Sequence, residues 1–375
     1  MSAEQRVTLR DARRWVVKVG SALLTDEGRR LDAEVIETLV AGVVSLRELG
    51  HEVVLVSSGA VAAGIVRLGL NARPKDLHTL QAAAAVGQSA LVRAYEDALA
   101  PRGVIAAQIL LSHADVRARD RYLNARSTLN TLLDLGVLPI VNENDTVVTD
   151  EIRFGDNDNL AALVANLIDA DALLILTDQE GLFDRDPRKF SDAQRVACED
   201  VSNLALDGMV GEGGVLGRGG MVTKLRAARL AARSGTQTVI AYGKTPDVMT
   251  AVAAGADVGT LLWTHQQPQS ARKQWLASLM HTQGALVVDA GAARVLSDQG
   301  RSLLPIGVVG VRGDFQRGDL VRCIDENDCE VARGLVNYSA KEARLLVRCP
   351  SQEIESILGY GGDAEMIHRD NLVKV

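Results

Sequence analysis

The stretch VLPIVNENDTVVTDEIRFGDNDNLAALVA, residues 137–165, joins two apolar runs through an unusual density of Asn, Asp and Glu. Val137 to Val141 reads as a buried strand, and Leu160 to Ala165 reads as part of a helix. Asn and Asp serve loops by hydrogen-bonding nearby backbone, and that accounts for Asp150 or Asp156. Asn142, Glu143, Asn144 and Asp145 are different, because four polar residues directly extend a buried strand. A strand that ends in a polar cluster and feeds a helix is one βα unit, and the rest of the chain shows how often the unit recurs.

Up to about residue 265 it recurs throughout. Short β-branched runs occur at Trp15-VVKVG, Glu52-VVLVSSG, Val104-IAAQILLS, Val137-LPIVNEND, Asp171-ALLILTD and Thr236-QTVIAYG. Between them lie longer segments with apolar residues at three- and four-residue steps, such as Asp32 to Leu49 and Leu77 to Leu99. Strands buried on both faces and alternating with helices imply a mostly parallel sheet covered on each side. Residues 1–265 are therefore expected to form a three-layer α/β/α domain. A polar linker follows at 266–280, and residues 281–375 carry short strands with glycine turns, expected to form a small, mostly β domain. These strands are Ala285-LVVD, Leu304-PIGVVGVRGDF, Asp319-LVRCID and Glu330-VARGLVNY.

Composition narrows the function. A net charge of −7 argues against a dedicated nucleic-acid binder held by phosphate contacts. No apolar h-region follows the charged N-terminus, so no secretory leader is expected. No apolar run approaches the roughly 18 residues needed to span a bilayer, and a cytoplasmic protein is expected. Four cysteines make no CxxC pair and read as reduced thiols. Six histidines form no ligand pattern, so no protein-only metal site is expected.

In open α/β sheets, ligands bind outside the carboxyl ends of the strands. The residues just past the expected strands are Gly20-Ser21, Ser57-Ser58-Gly59, Asn142 to Asp145, Thr177-Asp178 and Tyr242-Gly243. Together they outline a polar crevice. Lys18 lies within VVKVG, where a lysine flanked by valines meets an anion, opens onto a cleft, or faces solvent on an edge strand. Lys224 follows Gly217-RGGMVT, either an anion-binding loop at a helix N-terminus or a plain flexible loop. The spacing is neither a Walker A loop nor a dinucleotide fingerprint. Two helix N-termini and two lysines around one crevice suit polyphosphate transfer, which needs positioning and charge neutralisation. The lack of a nucleophile–histidine pair suits such a transferase and a binding protein equally.

Six segments, VVKVGSALLT, VLVSSGAVAAG, VNEND, GDNDNLAALVA, ILTDQEGLFDRDPR and GRGGMVTK, occur in this order. Together they resemble the amino acid kinase family, in particular the branch that phosphorylates the γ-carboxylate of L-glutamate in the first step of proline synthesis. The tail, with SQEIESILGY and GGDAEMIHRDNLV, is similar to the PUA domain appended to many members. The resemblance implies that Lys18 contacts the transferring phosphate. It also implies that Ser58, Asp145 and Asn157 hold the amino acid. Thr177, Asp178 and the run Arg218, Gly219, Gly220, Met221, Val222, Thr223, Lys224 would line the ATP site. Asp158, beside the two lysines in the catalytic set, and Asn142, with the substrate residues, join them. Arg153 stands where family members are expected to carry lysine, and arginine is bulkier and forked.

Glutamate brings an ammonium and two carboxylates into one pocket. Asp145 can neutralise the ammonium, while Asn amides and backbone N–H groups hold the α-carboxylate. The γ-carboxylate, with a pKa of about 4.3, is already ionised at pH 7 and needs no general base. Lys18 and Lys224, with Mg²⁺ riding on ATP, would offset repulsion between two anions. Aspartate, N-acetylglutamate and nucleoside monophosphate kinases are rivals within the family, and Asp145 argues against an acetylated substrate. An RNA-binding role through the PUA-like tail is the rival of another class. Residues 281–375 hold 11 Lys and Arg against 14 Asp and Glu, which lacks the electrostatic footprint of an RNA binder. The family also suggests feedback inhibition by proline and a homo-oligomer.

Overall fold

The computed structural model describes residues 2–26, 30–147, 157–210, 220–265 and 282–374. The expected linker at 266–280 lies outside them. The chain divides into two compact units, one of Met1–Val116 with Arg126–Pro268 and one of Arg117–Ala125 with Gln269–Val375.

The first unit is built on β1 (Arg14–Val19), β4 (Glu52–Ser57), β5 (Ala106–Leu111), β6 (Leu138–Glu143), β7 (Ala172–Thr177), β8 (Cys198–Asp200), β9 (Gln237–Tyr242) and β10 (Thr260–Trp263). They form one sheet in the order β5-β6-β4-β1-β7-β9-β10-β8, and a separate hairpin pairs β2 (Thr25–Asp26) with β3 (Arg30–Leu31). Every pairing in the large sheet is parallel except β9 with β10. The six strands expected from apolar runs are all present. β8 and β10 had no such signal: one is three residues long and the other enters antiparallel.

Helices cover both faces because their apolar residues recur on one side. The helix Ala33–Glu48 buries Ile36, Leu39, Val40, Val43 and Leu46, the spacing of one helical face. Asp32 caps it by accepting from the N–H groups of Glu34 and Val35. These side chains pack with Val17 and Val19 of β1 in the main core. On the strand's other face, Lys18 meets the helix Asn157–Leu167 through Asp158. The order of strands settles the first ambiguity. β1 is central, between β4 and β7, and Lys18 is 5% exposed, so it is not an edge-strand lysine facing solvent.

The N-terminal segment, legible beforehand only as charged residues, is tied down by Arg6. Its buried guanidinium donates to the carbonyls of Ala197, Ala256, Val258 and Gly259 and pairs with Asp257. Arg6→Ala would leave these carbonyls without their shared donor, and it is expected to cost about 2 to 3 kcal/mol. Urea unfolding measures this, and a change under half that size would refute it.

The second unit carries a five-stranded sheet of β11 (Gly284–Val288), β12 (Val308–Gly313), β13 (Leu320–Ile324), β14 (Glu330–Leu335) and β15 (Leu372–Lys374). Its order is β12-β11-β13-β14-β15, with β11 and β13 parallel and the other neighbours antiparallel. Leu286, Val288, Phe315, Cys323 and Tyr338 lie in its core. Leu123 packs with Leu320 and Leu335, consistent with residues 117–125 belonging to this unit. All four cysteines are free. Among the described residues, no helix is long and apolar enough to cross a membrane.

Candidate active site

The carboxyl ends of β1, β4, β6 and β7 carry candidate residues, and Lys18 of β1 meets others in one buried cluster. Lys18 Nζ lies 2.6 Å from Asp158 Oδ1, and Lys224 Nζ lies 3.2 Å from Asp158 Oδ2. Thr223 donates its hydroxyl to Asp158 Oδ2 at 2.7 Å. One carboxylate therefore holds two ammonium groups, one on each oxygen, and its width sets their separation. Burial alone would raise the Asp158 pKa, but the Lys18 and Lys224 charges outweigh it and bring it to about 2. Burial lowers the Lys224 pKa, and the Asp158 charge opposes that shift. The cluster keeps two ammonium groups and a carboxylate out of bulk water, a costly arrangement unless the charges are paired.

Helix ends sharpen this electrostatic reading. Asp158 lies in the first turn of the helix Asn157–Leu167, where a negative charge is favoured by the helix dipole. Lys224 lies in the first turn of the helix Met221–Ala232, where a positive charge is disfavoured. That helix contains no acidic residue in its first turn, and its N-cap, Gly220, supplies no side-chain cap. N–H donors beside an ammonium are the features that suit an anion. Met221, Val222, Thr223 and Lys224 are helical there, while Arg218 and Gly219 lie outside the described residues. Arg153, Asp150 and Asp156 lie outside them as well.

A second network runs through amides. Asn157 Nδ2 is within 2.8 Å of Ser58 Oγ, 3.0 Å of the Ser57 carbonyl and 3.0 Å of Asn142 Oδ1. Two hydrogens serve three acceptors, so these bonds share them. Asn142, 2% exposed at the end of β6, donates Nδ2 to Gln88 Oε1 at 2.7 Å and accepts from the Glu143 N–H at 2.9 Å. Ser57 Oγ shares a 2.9 Å hydrogen bond with the Tyr95 hydroxyl. Glu143 Oε2 is 3.5 Å from His113 Nδ1, and Glu143 Oε1 is buried without a hydrogen-bond partner among the described residues. Asn142 and Glu143 are thus buried parts of the strand exit. Asp145 follows in a turn, half-buried.

Thr177 and Asp178 occupy the exit of β7, the strand next to β1, and the Thr177 hydroxyl donates to Asp178 Oδ1 at 3.1 Å. Lys18, Asp158, Thr223 and Lys224 therefore form one cluster, and Ser58, Asn142 and Asn157 another. Asn157 and Asp158 are consecutive, so one helix start joins the two. Reasoning from sequence missed Gln88 and Tyr95, both on the helix Leu77–Leu99. Their only signal would have been polar groups within an otherwise apolar helical face.

A family model described as the amino acid kinase family matches residues 13–242, and one described as the PUA domain matches residues 284–358. The glutamate 5-kinase of Nitrosococcus oceani is 57% identical over 369 residues, covering 98% of each chain. That of Teredinibacter turnerae is 57% identical over 373 residues, covering 100% of each chain. That of Hahella chejuensis is 58% identical over 372 residues, covering 99% of this chain and 96% of its own.

Proposed function

This chain belongs to the amino acid kinase family, and from that premise we propose that it transfers the γ-phosphoryl group of ATP to the γ-carboxylate of L-glutamate, giving L-glutamate 5-phosphate and ADP. The product makes it the first enzyme of proline synthesis from glutamate. The single observation that carries the chemistry is the Lys18–Asp158–Lys224 bridge, two ammonium groups held in a buried site at the strand exits. The full-length relatives named glutamate 5-kinase support the choice of substrate.

The nucleophile is a γ-carboxylate oxygen. It attacks the γ-phosphorus, and the bond to the β,γ-bridging oxygen breaks with ADP leaving. No proton moves at the attacking atom, because the carboxylate is ionised at neutral pH. What the protein must do is bring two anions together. Lys18 and Lys224 neutralise oxygens of the transferring group, and Asp158 keeps both ammonium groups in register. With its pKa near 2, Asp158 is a poor base, so its role is positional. Thr177, Asp178 and the run Arg218 to Lys224 are assigned to the nucleotide. Ser58, Asn142, Asp145 and Asn157 are assigned to glutamate, with Asp145 facing the ammonium. Magnesium would add charge neutralisation on the phosphates. The residues present fit a metal carried by the nucleotide, since both oxygens of Asp158 are already engaged by ammonium groups.

ADP release with Mg·ATP and L-glutamate, and hydroxamate formation in hydroxylamine, tests the reading against L-aspartate, N-acetyl-L-glutamate and UMP. Glutamate-dependent hydroxamate is expected; turnover only with another acceptor would overturn the substrate assignment. In the same assay, Asp145→Ala is expected to raise the KM for glutamate roughly ten- to a hundredfold with the KM for ATP unchanged. Proline, which shares an α-carboxylate and an α-nitrogen with glutamate, is proposed to compete for the same pocket. We assign the tail a structural or regulatory role rather than RNA binding, and the assembly is proposed to be a homo-oligomer.

A further inference from the structure

Gln88 takes no part in the roles assigned above, yet it closes the amide network from below. The orientation of that network follows from one group whose chemistry is unambiguous. The Glu143 backbone N–H can only donate, and it donates to the Asn142 side chain, so that atom is Oδ1. Asn142 Nδ2 then faces Gln88 and needs an acceptor, which only Gln88 Oε1 can be. Gln88 Nε2 is left buried with no partner among the described residues, and Gln88 is only 9% exposed. Turning the Gln88 amide over would set two donors against each other. Only one orientation of the Gln88 amide therefore fits the network.

The chain of constraints continues outward. Asn142 Oδ1, fixed as an acceptor, receives Asn157 Nδ2, which also faces Ser58 Oγ and the Ser57 carbonyl. These three bonds all use Nδ2, so the Asn157 amide oxygen is turned away from them as a remaining acceptor. We propose that Gln88 is a positioning residue for the amino-acid substrate: its side-chain carbonyl locks Asn142, and through Asn142 orients Asn157 and Ser58, presenting the Asn157 amide oxygen to the substrate's ammonium. This rests on the assignment of Ser58, Asn142 and Asn157 to glutamate.

Two variants test it. Gln88→Met keeps length and removes both polar atoms, so Asn142 loses its lock and its Nδ2 takes the place of Gln88 Nε2 as the unpaired buried donor. The KM for glutamate is expected to rise about tenfold, the worth of one buried hydrogen bond. The KM for ATP stays at the wild-type value, and the midpoint of thermal unfolding is little changed, because one unpaired buried donor replaces another. Gln88→Glu keeps an acceptor oxygen and is expected to hold the KM for glutamate within about threefold of wild type. A wild-type KM in Gln88→Met overturns the proposal. So does a lowered midpoint with equal rises in both KM values, which marks a merely structural residue, or a Gln88→Glu variant as impaired as Gln88→Met. Absence of glutamate turnover in the wild-type protein overturns the function itself, and the inference with it, an outcome distinct from those three.

Discussion

Asp158→Asn is expected to lower kcat roughly a hundred- to a thousandfold, the range seen when one preorganised electrostatic group is lost. Asparagine matches the carboxylate in shape but removes the charge that holds Lys18 at 2.6 Å and Lys224 at 3.2 Å. Two buried ammonium groups would then face each other, at a stability cost of about 3 kcal/mol. An anion placed between them should relieve that cost. ATP or inorganic pyrophosphate is therefore expected to raise the unfolding temperature of Asp158→Asn more than that of wild type. The alkaline limb of the pH profile gives an independent reading. The Asp158 charge opposes the burial that lowers the Lys224 pKa, so its loss lets that pKa fall further. The variant should lose activity at a lower pH than wild type as the solution becomes basic.

The same pair fixes an acid limit. The Asp158 pKa is about 2 when folded, below its ordinary 3.8, so the ion pair's contribution is complete above the unfolded value. It is lost as pH falls from near 4 toward 2, and it amounts to about 2 kcal/mol. Asp158→Asn should flatten that part of the acid-unfolding curve. Unchanged kcat, or equal stabilisation of both proteins by pyrophosphate, would show that Asp158 does not organise the lysines.

Much of this was legible in the chain because α/β folds repeat one local pattern. Runs such as Ala172–Thr177 are buried throughout, and a wholly buried run between helices implies a central parallel strand without any two-residue alternation. The strand-exit rule then collected Gly20, Ser57, Asn142 and Thr177 without any distance being known. What local pattern could not supply was partnership. Lys18 and Asp158 are far apart in sequence, and only the position of β1 inside the sheet excludes the solvent-facing reading of Lys18. Gln88 and Arg6 were invisible for the same reason. A glutamine on a helix and an arginine near the N-terminus look like surface residues until long-range partners are in place. β8 and β10 escaped because three- and four-residue strands carry too few residues to show a period.

Gly64→Ala and Gly87→Ala should be the most damaging glycine-to-alanine changes among the described residues, although neither residue touches a reactant in the proposed mechanism. The helices Ala60–Arg67 and Leu77–Leu99 cross with their backbones in contact. A Cβ on Gly64 would lie 1.7 Å from the Ala83 carbonyl oxygen, and one on Gly87 would lie 1.8 Å from that of Ala60. Backbone cannot rotate aside as a side chain can, so the helices must separate. Overpacking of this kind costs about 3 kcal/mol or more. The consequence for the site is direct. The first helix follows Ser58 through Gly59, whose φ of 102° suits glycine and turns the chain sharply. The second carries Gln88, whose bond to Asn142 is 2.7 Å long and breaks if the helix shifts by an ångström. A displacement of about 1 Å can cost a hundredfold in rate, so activity should fall by about that factor even below the unfolding temperature. Once one methyl has forced the seam apart, the second meets less resistance. The double variant should therefore destabilise by less than the sum of the two singles, the sign of a shared contact. Additive effects, or wild-type activity in Gly87→Ala at low temperature, would show that this crossing does not hold the amide network in place.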